Sequence, residues 1–117
     1  MKSVRFGLAG VLSAGLLLWA APTLADDTPD LRVSMIRVRG ASKDGCLRKA
    51  ASSMRDMGLD DVKIKDRELV QGDTEYSRAI VMCVRHEGDT LAAIAVTSNR
   101  GNEARSIRNS LRNRMRD

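Results

Sequence analysis

A chain of 117 residues can close one modest hydrophobic core, and its formal charge of +5 points first toward an anionic partner. The aromatic content of 3% narrows that choice, because single-stranded nucleic acids and sugars are held on several ring faces and Tyr76 is the one aromatic residue after position 25. The charge is also uneven: Asp26 to Asn99 holds twelve basic against thirteen acidic residues, whereas Arg100 to Asp117 holds six arginines against Glu103 and Asp117.

The chain opens with Lys2 and Arg5, then an uncharged apolar run from Phe6 to Ala21, then Pro22 and Thr23-Leu24-Ala25. That is the pattern of a secretory signal peptide cut after Ala25, and the glycine-interrupted run is short for a membrane anchor. No cysteine lies near the cut, so no lipid anchor is expected. Lys2 and Arg5 leave with the leader, so 18 of the 20 basic residues remain against 15 acidic ones, a balance of +3. The expectation is one domain over 26–117 in the bacterial periplasm or outside the cell, with no transmembrane span in the mature chain.

Asp26 to Asp30 reads as an exposed lead-in, since Pro29 disfavours helix. Leu31 to Gly40 is strand-like, rich in β-branched residues and closed by glycine. Its alternation slips at Met35-Ile36, which predicts a bulge or a strand partly covered on both faces.

Ala41 to Leu59 carries the clearest helix. Ser42 suits its N-cap, Asp44 the positive end of its dipole, and Gly58-Leu59 its stop. At about 100° per residue, Cys46, Leu47, Ala50, Met54 and Met57 share one stripe, with Lys49, Arg55 and Asp56 off it.

Cys46 and Cys83 are the only cysteines. An even count in a small exported domain predicts a bridge between them, worth about 4 kcal/mol for a loop of that length. The sequence lacks a C-x-x-C redox pair, and Cys46, Cys83 and His86 lack a fourth metal ligand. Neither metal nor cofactor is expected.

A second strand follows at Val62–Lys65, then a bend near Asp66 or a turn at Gly72-Asp73. Arg78–Arg85 and Thr90–Val96 read as the arms of a hairpin joined through His86-Glu87-Gly88-Asp89, where Gly88 suits a tight turn. Both arms are apolar on both parities, the mark of strands covered on two sides. If Ala79, Val81 and Cys83 face the first helix, Ile80, Met82 and Val84 face away, with Ala92, Ile94 and Val96 as candidates to join them. The last helix, or a second copy of the chain, is expected to cover that far face. The order βαβββα predicts a small α+β two-layer sandwich with a mainly antiparallel sheet and two helices.

The closing helix separates into stripes. Ala104, Ile107, Leu111 and Met115 are apolar, and Arg105, Arg108, Arg112 and Arg116 form a ridge beside them. The ridge is either the solvated side of a docked helix, its cations favoured near the helix C-terminus by about 0.3–1 kcal/mol, or a contact for an acidic protein or lipid phosphate. Nucleic acid is not an expected partner of an exported protein.

His86, flanked by Glu87 and Asp89, could carry a proton or simply sit on a hydrophilic hairpin tip. The sequence contains no H-E-x-x-H, no G-x-S-x-G and no phosphate-binding glycine loop, and its aspartates lack calcium-loop spacing. No catalytic residue is assigned. The functional expectation is a non-enzymatic exported binding or accessory protein that contacts another envelope or secreted protein, or itself as a homodimer. The alternatives are an anionic-lipid binder acting through the arginine helix and a hydrolase built on His86.

Overall fold

Residues 28–116 are described by a computed structural model, and the expected signal peptide at Met1–Ala25 lies outside them. Along these residues run β1 (Asp30–Val38), α1 (Lys43–Asp56), β2 (Asp60–Lys65), β3 (Leu69–Asp73), β4 (Ser77–His86), β5 (Asp89–Ser98) and α2 (Glu103–Met115). The strands form one antiparallel sheet in the order β1-β5-β4-β3-β2, so β1 and β2 are its edges. Both helices pack on one face of it, which makes the expected small α+β sandwich.

The sheet has five strands where the sequence reading expects four, and the addition is β3. The chain reverses at Asp66-Arg67, whose φ values of 54° and 55° are both positive, and Glu68 N–H closes the turn on the Lys65 carbonyl at 2.9 Å. Gly72 is therefore a strand residue, not a turn residue. Its missing side chain leaves room for α1: a Cβ there would stand 2.9 Å from Met54 Sδ and 3.2 Å from Leu59 Cδ2.

Helix α1 begins and ends where its sequence directs. Gly45 N–H donates to Ser42 Oγ at 3.0 Å, satisfying one of the unpaired first-turn amides. At the other end Gly58 takes φ +84°, Gly58 N–H donates to the Arg55 carbonyl and Leu59 N–H to the Met54 carbonyl. This Schellman geometry folds Leu59 back into the core, where it is buried.

Strands β4 and β5 are joined by Glu87-Gly88, both at positive φ, a two-residue turn whose twist matches the strands. Their register settles which side chains share a face. Ala79 pairs with Val96, Val81 with Ile94 and Cys83 with Ala92, and all six are buried against the helices. Ala92, Ile94 and Val96 thus belong to the inner face, contrary to the expectation that they join Ile80, Met82 and Val84. The slip at Met35-Ile36 is not a bulge either. Strand β1 pairs with β5 in unbroken register; Ile36 and Val38 point inward, while Leu31, Val33 and Met35 point outward and are exposed.

The last helix does not cover the outer face. Five strands at about 4.8 Å give a sheet about 24 Å wide, enough to seat two helices of about 10 Å side by side. Helix α1 covers the β2–β4 side with Cys46, Leu47, Ala50 and Met54, and α2 covers β1 and β5 with Ala104, Ile107, Leu111 and Met115. Cys46 and Cys83 are bonded to each other across the two layers, Cα to Cα 6.1 Å, and both are fully buried. The start of α2 is fixed by Glu103, whose carboxylate accepts from Thr74 Oγ1 at 2.9 Å and from Ser77 Oγ.

Candidate interaction surface

Strand alternation places a second set of apolar side chains on the face that no helix covers. Leu31, Val33 and Met35 stand there on β1, Leu91, Ala93 and Ala95 on β5, and Ile80, Met82 and Val84 on β4. Val33 and Met35 are 61% and 66% exposed, and Met82 and Val84 are 43% and 44% exposed, high values for large apolar side chains. The alanines of β5 form the floor of a shallow trough of about 270 Å³, with Val33 and Met35 on one wall and Ile80 and Met82 on the other. The trough exists because small side chains fill the middle strand and long ones flank it.

The edge strand β1 bounds this face, and the arginine ridge runs beside it. Arg108 Nη1 donates to the Val33 carbonyl at 3.4 Å, while its Nε and Nη2 donate to Asn109 Oδ1 at 3.1 and 2.8 Å. Arg116, eight residues on, lines an open cleft of about 640 Å³ with Met35, Ile36, Arg37 and Arg39. Eight helical residues rise about 12 Å and four strand residues about 13 Å, so α2 advances along β1 from Val33 toward the Met35–Arg39 cleft at nearly the strand's own pace. Arg112 falls between these two points. Its Nε is shut off from solvent with no hydrogen-bond partner, and among the described residues Arg105, Arg112 and Arg116 make no ion pair.

The other residues singled out by sequence lie apart from this surface. His86 is at the β4–β5 hairpin tip, exposed, with Nε2 3.5 Å from Glu87 Oε2. No group of three or more His, Cys, Asp or Glu side chains among the described residues could hold a metal ion. Among the described residues no helix is long and apolar enough to cross a membrane. A cleft between α1 and α2 is lined by Asp56 from α1 and by Glu103 and Arg114 from α2, but Arg114 Nη1 lies 4.0 Å from Asp56 and Glu103 is occupied by Thr74 and Ser77.

The uncovered face had a signal in the sequence. Leu31-x-Val33-x-Met35 and Ile80-x-Met82-x-Val84 are both alternating apolar runs, and two such runs on one face make a patch. The edge position of β1 had none, because strand order is set by pairings distant in sequence.

Fold and surface together define a small disulfide-braced α+β sandwich with one helical layer, one open apolar sheet face and an arginine-flanked edge. The chain matches no protein-family model and shows no significant similarity to a curated protein.

Proposed function

We propose that this protein is an exported, non-enzymatic binding protein of the bacterial envelope that acts by contact with another exported protein. The observation that carries this reading is the open apolar face around Val33, Met35, Ile80 and Met82, a patch of the kind that marks interaction sites on soluble domains. Export is supported by the signal-like sequence at Met1–Ala25 and by the Cys46–Cys83 disulfide, a bond that persists in oxidising compartments.

Site-specific photo-crosslinkers in native cells test the reading. Positions Val33 and Met82 should each give an adduct of the same mass with a second protein, and Arg48 on the exposed side of α1 should give none. Absence of adducts from both sheet positions, or adducts of twice the monomer mass, would overturn it. Intact mass from the same cells checks export, since a species that still starts at Met1 with free thiols contradicts it.

A second reading is favoured by one specific feature, the lack of ion pairs at Arg105, Arg112 and Arg116 among the described residues. On that reading the helix binds phosphate of anionic lipid, and retention on anionic vesicles should collapse at 0.5 M salt, where the screening length is only a few ångströms (about 4 Å).

A further inference from the structure

The sheet edge and the arginine ridge have the same repeat. Ridge residues four apart advance about 6 Å along α2, and alternate residues of a β-strand advance about 6.6 Å. Arg108 reaches Val33 and Arg116 shares a cleft with Met35, Ile36, Arg37 and Arg39, so the ridge runs along β1 with a spacing close to two strand residues per arginine. An edge strand leaves one row of backbone amides and carbonyls unpaired by its own sheet, and β1 is nine residues long.

From this juxtaposition we propose that β1 receives an extended segment of a partner protein as a sixth strand, and that the segment alternates acidic with apolar residues. The inference rests on the binding-protein reading above and names the chemistry of its partner. Residues placed opposite Leu31, Val33 and Met35 fall on the open face and continue its apolar surface. Residues placed opposite Arg32, Ser34 and Ile36 fall on the helix side, beneath the flank of α2 that carries Arg108, Arg112 and Arg116. Acidic side chains there meet an arginine at each repeat. Main-chain pairing supplies affinity and the alternate side chains supply selectivity.

Two details fit this occupant better than a second copy. Arg108 now holds the Val33 carbonyl, so a pairing strand would release its guanidinium to an acidic side chain at the same position. A second β1 docked on the first would bring two arginine ridges together and offer Arg32, Ser34 and Ile36 to them, with Asp30 as the only carboxylate. Like charge disfavours self-pairing.

The test uses the protein as recovered from its native cells and a nine-residue peptide of alternating glutamate and valine, blocked at both ends. Amide shifts of Leu31, Val33, Met35 and Arg37 are followed by NMR as peptide is added. The alternating peptide should shift these amides. The same residues sorted into a glutamate block and a valine block should not, nor should the alternating peptide N-methylated on every second amide. Arg112→Glu with Arg116→Glu should weaken binding roughly tenfold or more while leaving the amide spectrum of the rest of the sheet in place. Equal binding of the sorted peptide, or no effect of the double reversal, overturns strand addition. So does a concentration-dependent shift of the β1 amides without peptide, which would assign the edge to a second copy. Vesicles of phosphatidylglycerol that shift α2 but not β1 and displace the peptide would assign the ridge to lipid and equally overturn it. Crosslinks at Met82 with no peptide binding would leave the binding-protein reading standing and remove this inference alone.

Discussion

Arg108 Nη1 reaches the carbonyl oxygen of Val33 at 3.4 Å, so a side chain of the last helix touches the edge strand from the helix-covered side of the sheet while the far face stays bare. The bond is long and Arg108 is half-buried, while Leu111, three residues on, is wholly inside the core. The two stripes of α2 should therefore separate in stability measurements. Leu111→Ala should cost about 2–5 kcal/mol, and Arg108→Ala less than about 1 kcal/mol, by urea unfolding. A loss for Arg108→Ala as large as for Leu111→Ala would make the ridge part of the scaffold.

Cys46 and Cys83 are fully buried, so neither the bond nor its thiols are open to reagents in the folded state. Reduction should require opening of the domain and should be accelerated by denaturant. Once Cys46 and Cys83 are both replaced by Ser, the unfolding free energy should fall by about 4 kcal/mol, and buried hydroxyls would add to the loss. A double variant with the wild-type urea midpoint would contradict the account of the core.

Gly72 stands in β3 where a side chain would collide with the core. It is buried beneath α1, and a methyl group there meets Met54 Sδ at 2.9 Å and two Leu59 carbons at 3.2 and 3.3 Å. Gly72→Ala should destabilise by about 1–3 kcal/mol through overpacking. Gly101→Ala, where an added Cβ meets nothing within 4 Å, should be neutral or stabilise by up to about 1 kcal/mol. Thermal midpoints of the two variants, on either side of the wild type or level with it for Gly101→Ala, check the claim.

Local chemistry was legible in the sequence: Ser42 caps α1, Gly58-Leu59 ends it, Glu87-Gly88 turns the hairpin, and Ala104, Ile107, Leu111 and Met115 are the buried stripe of α2. Each depends on residues within four or five positions. Strand β3 has no clear local signal, because Leu69–Asp73 is short and contains Gly72, whose value lies in a contact with Met54 and Leu59 that only folding creates. The inner placement of Ala92, Ile94 and Val96 follows from the register of the hairpin, and a one-residue shift would have reversed it. The arginine ridge was visible as a pattern, yet its position along β1 depends on strand order.

Two valines of one strand face opposite surroundings. Val81 is wholly buried on the inner face of β4, and Val84 is 44% exposed on the outer face. Valine to threonine keeps the shape and adds a hydroxyl, so the two substitutions differ only in where the hydroxyl goes. Val81→Thr should cost about 1–3 kcal/mol because no partner waits for it in the core. Val84→Thr should change stability by less than about 0.5 kcal/mol in dilute protein. The second value also tests the face itself. Were a second copy bound there, stability would rise with protein concentration and Val84→Thr would weaken that dependence. Urea midpoints that stay constant over a hundredfold range of concentration, with Val84→Thr equal to wild type, leave the face free for a different protein.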